Sequence, residues 1–237
     1  MNGFNKKYLD KLFLDEFEKG IDYPLQKFSE QNVYIGKVVS DEFCNFIMSK
    51  VSEYENGNYK SDINHDNSMH KYTIPLGKLA LQDFIEAFVN TYLLKIIQKF
   101  FPDRLDHGFD EIHGYIVRYS KYEDVNLERH VDDSFVTSNI CLNENFLGSE
   151  LVFNGVRCPI HLDSSFQINE ELSITQKKAT LILHDGKNRH YVNSIREGKR
   201  YSLIIWMQSN NERKKWLSSI KNKLCIDFCK YKEWHPQ

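Results

Sequence analysis

The chain carries little net charge. Lys and Arg number 31 against 33 Asp and Glu, leaving -2 at pH 7. That excludes a broad basic field of the kind that grips nucleic acid, so a nucleic-acid partner is not expected. Long apolar runs are missing too. The opening MNGFNKKYLDKLFLDEFEKG is charged every few residues and has no apolar h-region, and no later run approaches transmembrane length. A soluble, cytoplasmic protein without a membrane partner is the expectation. Cysteine is sparse, odd in number and scattered, at Cys44, Cys141, Cys158, Cys225 and Cys229. This suits reduced thiols better than a disulfide framework. There is no internal repeat and no low-complexity tract. What the chain does have is bulk: 237 residues, 41% hydrophobic and 14% aromatic, enough for the substantial core of one domain.

The first half reads as helical. Tyr8, Leu9, Leu12, Phe13 and Phe17 recur at helical spacing over residues 5 to 19, ending at Gly20, and VYIGKVV near 33 to 39 resembles a short strand. A second helix is expected after Ser40, with Phe43, Phe46, Ile47, Val51 and Tyr54 on one face and a stop at Asn56 and Gly57. The longest is predicted over about 79 to 100, where Leu81, Phe84, Ile85, Phe88, Val89, Tyr92, Ile96 and Ile97 form a stripe suited to covering a sheet. After about residue 110 the pattern becomes β. EIHGYIVRYS, FVTSNICLN, SELVFNG, ATLILHD, HYVNSI and RYSLIIWMQ are rich in β-branched and aromatic residues and are separated by Gly, Asn and Asp. Strands in succession without helices between them argue for antiparallel pairing. The fold class is therefore α+β, with a double-sheet jelly roll of the cupin kind. NERKKWLSSIKNKL reads as a closing helix.

One stretch, RHVDDSFVTSNICLN, carries chemistry. On an extended strand His130 and Asp132 point to the same face. An isolated His-x-Asp is usually a surface pair, so further ligands are needed. His190, after the polar turn in LHDGKNRH, is the next candidate. Two imidazoles and a carboxylate on one face of a metal leave open positions, as in non-haem Fe(II) oxygenases, although zinc would accept the same set. Arg200 and Ser202, ten and twelve residues beyond His190, share a strand face. Guanidinium and hydroxyl together suit the distal carboxylate of a dicarboxylic acid, which matches 2-oxoglutarate.

With those residues in order, the chain resembles the prolyl-hydroxylase-like branch of the Fe(II)/2-oxoglutarate-dependent oxygenases. The resemblance lies in HVDDSFVTSNICLN, FLGSELVFNGVRCPIH and ILHDGKNRHYVNSIREGKRYSLIIW, within residues 111 to 208. The helical first half is only loosely comparable. The resemblance implies a double-stranded β-helix core with the N-terminal helical layer packed on the sheet. It also implies Fe(II) held by His130, Asp132 and His190, and 2-oxoglutarate anchored by Arg200. Tyr119 would reach the cosubstrate carboxylate, with Tyr115 as the alternative. O2 would be the oxidant and ascorbate the reductant. Thr137, Asn139 and Cys141 alternate with Val136, Ile140 and Leu142, so one set should line the pocket; Asn139 is the expected polar contact. By organisation, residues 1–110 form a support region, 111–208 the β-core and 209–237 a C-terminal helix and tail, all in one structural domain.

The implied activity is hydroxylation of a C–H bond, releasing succinate and CO2, on a protein or peptide side chain of prolyl or lysyl type. A small-molecule oxygenase is the alternative, and a non-catalytic cupin-like binding module is the reading from another class. Retention of Asp132 favours hydroxylation over halogenation, because the related halogenases place a small residue there. Ser149 follows Gly148 where relatives often have paired glycines, and is expected to crowd a tight turn. Asp133 and Asn188 adjoin ligands and are candidates for orienting them. His184 is a secondary ligand candidate, and His161 faces either the site entrance or a structural hydrogen bond. His65 and His70 lie in a polar loop that could form a lid. Cys225, Cys229 and His235 could begin a zinc site but lack a fourth ligand.

Overall fold

A computed structural model describes residues 4–20, 23–29, 31–57, 71–102, 105, 108–225 and 229–231. His65, His70 and His235 lie outside them. The first helical stretch divides at Asp10. A 3-10 turn, Lys6–Tyr8, precedes α1, Lys11–Lys19. The Asp10 carboxylate accepts from the N–H groups of Leu12 and Phe13, at 3.0 and 3.3 Å, and so starts a new helix. Ser40 caps α2, Asp41–Asn56, in the same way.

The predicted long helix begins later and is not uniform. Ala80 takes a left-handed conformation that separates a 3-10 turn, Leu76–Leu79, from α3, Gln82–Phe88. A π turn, Val89–Leu93, then joins α3 to α4, Leu94–Phe100. The extra residue per turn rotates the apolar stripe, so that Ile85, Phe88, Val89, Tyr92, Leu93, Ile96 and Ile97 are all buried.

Two antiparallel sheets follow. The larger pairs β1 (Leu25–Ser29), β2 (Val33–Lys37), β10 (Thr180–Asp185), β6 (Val136–Cys141), β12 (Ile195–Gln208), β4 (Glu111–Ser120) and β3 (Thr73–Pro75) in that order, with β7 (Phe146–Gly148) also on β12. The smaller runs β5 (Leu127–His130), β11 (Asn188–Val192), β8 (Leu151–Val156) and β9 (Leu172–Ile174). This is an α+β double-stranded β-helix. The short strands β1, β3, β5 and β9 lack the β-branched and aromatic runs that marked the longer ones, and β1 and β2 extend the large sheet with residues from the helical half.

Period-2 alternation decides what each strand contributes to either face. Val136, Ile140, Leu181, Leu183, Leu203, Ile205 and Met207 pack with α2, the π turn and α4 in one core. Residues one step along, including Tyr115, Val117, Tyr119 and Ile182, face Phe153, Leu151 and Val192 of the small sheet. Each fully buried Phe, Leu or Ile is worth roughly 1.5–3 kcal/mol. The helices thus cover one face of the large sheet, and its other face is left for a cavity between the sheets. A last helix, α5 (Asn210–Asn222), follows β12.

Candidate metal and cosubstrate site

The chain crosses between the sheets after β5 and again after β10, and the metal-ligating candidates sit at those crossings. β5 ends at His130; Asp132 lies in the crossing loop rather than on the strand. The shared strand face expected for this pair is thus replaced by a loop that turns Asp132 inward. Its backbone N–H donates to the Gly186 carbonyl (2.8 Å), and Gly186 N–H donates to the Phe135 carbonyl (2.9 Å). A side chain at Gly186 would collide with Ser134, so glycine permits the close approach of the two crossings. The Lys187 ammonium secures the loop by donating to the Asp132 carbonyl at 2.6 Å.

β11 pairs with β5 so that His190 lies directly opposite His130. Their ligand atoms and an oxygen of Asp132 all fall within 4.8 Å of one another. His130 Nε2 is 3.4 Å and His190 Nε2 3.7 Å from Asp132 Oδ1. Each imidazole is aimed by its other nitrogen: His130 Nδ1 lies 2.8 Å from the Glu128 carbonyl and His190 Nδ1 2.9 Å from that of Asn188. A carbonyl only accepts, so both Nδ1 atoms carry the proton and both Nε2 lone pairs point inward. Thr137 donates to Asp132 Oδ2 at 2.6 Å, which leaves Oδ1 toward the imidazoles.

Burial opposes charge on Asp132, but the imidazoles of His190, His130 and then His184 outweigh it and hold the carboxyl well below the usual carboxylate range. Burial likewise opposes the His130 cation, yet the hydrogen bond and charge of Asp132 keep that imidazole above its ordinary value. Burial, reinforced by His130, pushes His190 down to about 3, so it is neutral. One carboxylate with neutral imidazole nitrogens available is a donor set suited to a divalent ion.

The cavity beside these groups is lined by Tyr115, Tyr119, Asn139, His184, Ile204 and Trp206 among others. Farther along β12, Arg200 is 1% exposed. It donates to the backbone carbonyl and, at 3.2 Å, the hydroxyl of Ser149, and to the Gln176 side-chain oxygen. Among the described residues no carboxylate pairs with it. Its Nε, the Ser202 hydroxyl and Asn139 Oδ1 are buried without a hydrogen-bond partner. A buried guanidinium with neutral partners and an unmatched donor, beside an unmatched hydroxyl, fits a carboxylate ligand. Tyr119 lies opposite Arg200 in the β4–β12 register, with the guanidinium 5.8 Å from its ring centre.

The other candidates divide. Thr137 and Asn139 line the cavity, whereas Val136, Ile140 and Leu142 belong to the helix-facing core. Gly148 and Ser149 both take positive φ, +82° and +59°, and Ser149 meets Arg200 instead of merely crowding the turn. Asn188 orients His190 through its backbone. Asp133 turns away to Arg213 on α5, at 2.6 Å. His184 is buried beside the three metal-ligating candidates, with Nε2 3.9 Å from Asp132 Oδ2 and its ring centre 4.8 Å from that of His190. His161 lies away from the cavity, next to Cys158. Gln176, which links Arg200 to the Asn139 carbonyl (3.1 Å), was not singled out, because a lone glutamine near a short strand carries no spacing signal.

Known proteins agree with this architecture. A prolyl hydroxylase from Trichoplax adhaerens, solved with a hypoxia-inducible-factor oxygen-degradation-domain peptide, superposes with a TM-score of 0.56 at 16% identity, over 89% of this chain and 99% of that one. The Arabidopsis thaliana 2-oxoglutarate and iron-dependent oxygenase domain-containing protein ICU11 is 33% identical over 187 residues, 78% of this chain and 47% of the relative. The Danio rerio 2-oxoglutarate and iron-dependent oxygenase domain-containing protein 2 is 28% identical over 202 residues, 85% of this chain and 54% of the relative. The chain belongs to the Fe(II)- and 2-oxoglutarate-dependent oxygenases and shares its fold with the prolyl hydroxylases. Within that class, residues 3–106 match the OGFOD2-like domain. That match falls on the helical half, the part whose motifs were least telling. The chain spans about half the length of these two curated relatives. Among the described residues no helix is long and apolar enough to cross a membrane.

Proposed function

We propose that this chain is a hydroxylase in which His130, Asp132 and His190 hold Fe(II), and Arg200 and Ser202 hold the distal carboxylate of 2-oxoglutarate. The observation that carries this reading is the pairing of two features, one lining the cavity and the other just beyond it, next to the cavity-lining Tyr119. One is a carboxylate and two imidazoles already aimed by the Glu128 and Asn188 carbonyls. The other is a buried guanidinium with no carboxylate partner among the described residues. Fe(II) with 2-oxoglutarate and O2 would supply C–H oxidation, yielding succinate and CO2, with ascorbate keeping the metal reduced.

The protein's own part is positional. Thr137 fixes which carboxylate oxygen of Asp132 faces the metal, the two backbone carbonyls fix the imidazole tautomers, and Tyr115 and Tyr119 with the sheet faces limit water. The substrate is proposed to be a protein or peptide side chain of prolyl or lysyl type, by analogy with the peptide seen on the Trichoplax neighbour.

The test is thermal melting with Mn(II), a redox-inert stand-in for Fe(II), with and without 2-oxoglutarate, followed by succinate release against a peptide array and a metabolite panel. Metal-dependent stabilisation by 2-oxoglutarate that His130→Ala abolishes is expected. A folded protein indifferent to both ligands sinks the oxygenase reading in favour of a binding module. Succinate release coupled only to metabolites replaces the peptide substrate with a small molecule.

A further inference from the structure

A second cluster of ligating side chains lies apart from the cavity. After α5 the chain returns to the end of β8, where Lys230 N–H donates to the Val156 carbonyl at 3.1 Å. This brings Cys225 and Cys229 beside Cys158 and His161, which lie in the turn leaving β8. The sulfurs of Cys158 and Cys225 are 3.8 Å apart. His161 Nδ1 is 3.2 Å from the Cys158 sulfur and 3.5 Å from that of Cys229. All four ligand atoms fall within 4.8 Å of one another. Cys158 and Cys229 are buried, and Cys225 and His161 half-buried.

We propose that Cys158, His161, Cys225 and Cys229 form a structural zinc site that clamps the C-terminal segment onto the end of β8. Geometry supports it. With bonds of about 2.3 Å to sulfur and about 2.0 Å to nitrogen, a tetrahedral zinc sets its ligands about 3.8 Å apart for two sulfurs and about 3.6 Å for sulfur and nitrogen. The Cys158–Cys225, Cys158–His161 and Cys229–His161 spacings match those edges within a few tenths of an ångström, and the remaining pairs lie within 4.8 Å. Donor chemistry selects the metal: three thiolates and an imidazole suit zinc, whereas the two imidazoles and carboxylate of the cavity suit Fe(II). Four protein ligands leave no open position, so the site is structural rather than catalytic. In the sequence it reads as C-x2-H in CPIH and C-x3-C in CIDFC. The ligands that the Cys225–Cys229 pair lacks are thus supplied from far along the chain, by Cys158 and by the imidazole of His161. The His161 ring is stacked on Tyr231 with centroids 4.0 Å apart, which fixes its orientation. Zinc binding would displace the thiol protons to solvent.

The location gives the clamp a purpose. Arg157, next to Cys158, donates its backbone N–H to the Lys187 carbonyl, three residues before His190. The zinc would therefore brace the end of the β8–β11 pair that carries a metal-ligating candidate of the cavity.

The test uses the full chain, purified under reducing conditions, with metal content measured and cobalt(II) substituted for zinc. About one zinc per chain is expected, together with a thiolate-to-cobalt charge-transfer band. Both should persist in the His130→Ala/Asp132→Ala variant and be lost in Cys225→Ser and in Cys158→Ser, and a strong chelator should lower the melting temperature of the wild type. The wild-type cobalt spectrum does not depend on the variants folding. Absence of the band in reduced, folded wild type, its survival in both cysteine variants, or its loss in the His130→Ala/Asp132→Ala variant would each overturn the proposal.

Discussion

Two arginines, Arg157 and Arg200, are buried to the same degree, at 0% and 1% exposure, yet they are solvated by opposite means. Arg157 makes a fork-to-fork pair with Glu170, at 2.8 and 2.7 Å, and also donates to Ser164 and to the carbonyls of Val156 and Ser165. Its charge is neutralised within the fold. Among the described residues Arg200 has no carboxylate partner: it donates to the neutral oxygens of Ser149 and Gln176, stands 5.8 and 5.9 Å from the ring centres of Tyr119 and Phe146, and its Nε has no hydrogen-bond partner. A guanidinium held out of water by dipoles alone is costly to keep. One arginine is finished by folding, and the other is set up to be completed by an anion.

The largest expected effect falls on the finished pair. Glu170→Gln strands a buried cation and should cost about 3–5 kcal/mol, read as a lower denaturation midpoint. A double replacement of Arg157 and Glu170 by apolar residues of similar volume should recover much of that loss. A midpoint unmoved by Glu170→Gln would remove the contrast between the arginines. Arg200→Ala should behave in the opposite sense, with little loss of stability without ligand but with the 2-oxoglutarate-dependent increment abolished. At a hundredfold excess over Kd that increment is about 2.7 kcal/mol. Retention of the increment in the variant would assign the carboxylate to another group.

The same contrast explains what could be read in advance. The grouping of His130, Asp132 and His190 was legible because short, ordered spacings beside strands reveal it, and the same spacing picked out Arg200, which the fold buries. The large-sheet strands after residue 110 were legible as β-branched and aromatic runs set off by Gly, Asn and Asp, as in ATLILHD and RYSLIIWMQ. The partners of the arginines were not. Glu170 reaches Arg157 from a 3-10 turn, and Gln176 and Ser149 reach Arg200 from loops, through pairings that only the closed fold brings about. The π turn at Val89–Leu93 was hidden because one added residue leaves an apolar stripe looking helical. Strand logic also paired His130 with Asp132 for an incomplete reason, since Asp132 sits in a crossing loop.

Acid should separate metal from cosubstrate. Metal must displace any proton on His130, whose imidazole Asp132 holds above its ordinary value despite burial, whereas His190 is already neutral with its value near 3. Below the His130 value the free site gains a proton that the metal-bound site lacks. The apparent Mn(II) affinity should then fall roughly tenfold per pH unit, measured by titration at fixed ionic strength. A flat profile between neutral pH and pH 5 would place the metal elsewhere.

The smallest effect sharpens the role of Arg200. Ser202 Oγ is buried and without a hydrogen-bond partner, two residues from Arg200 on the same strand face. If the two share a carboxylate, Ser202→Ala removes one neutral hydrogen bond, worth about 1 kcal/mol, and weakens 2-oxoglutarate roughly fivefold. Metal affinity should not change, because Ser202 touches none of the metal-ligating candidates. Stability without ligand should hold or rise slightly, since the substitution removes a buried polar atom that nothing satisfies. Equal weakening of metal and cosubstrate would instead mean that the substitution disturbs β12 as a whole. A loss confined to 2-oxoglutarate is what distinguishes a ligand contact from a packing residue on the same strand.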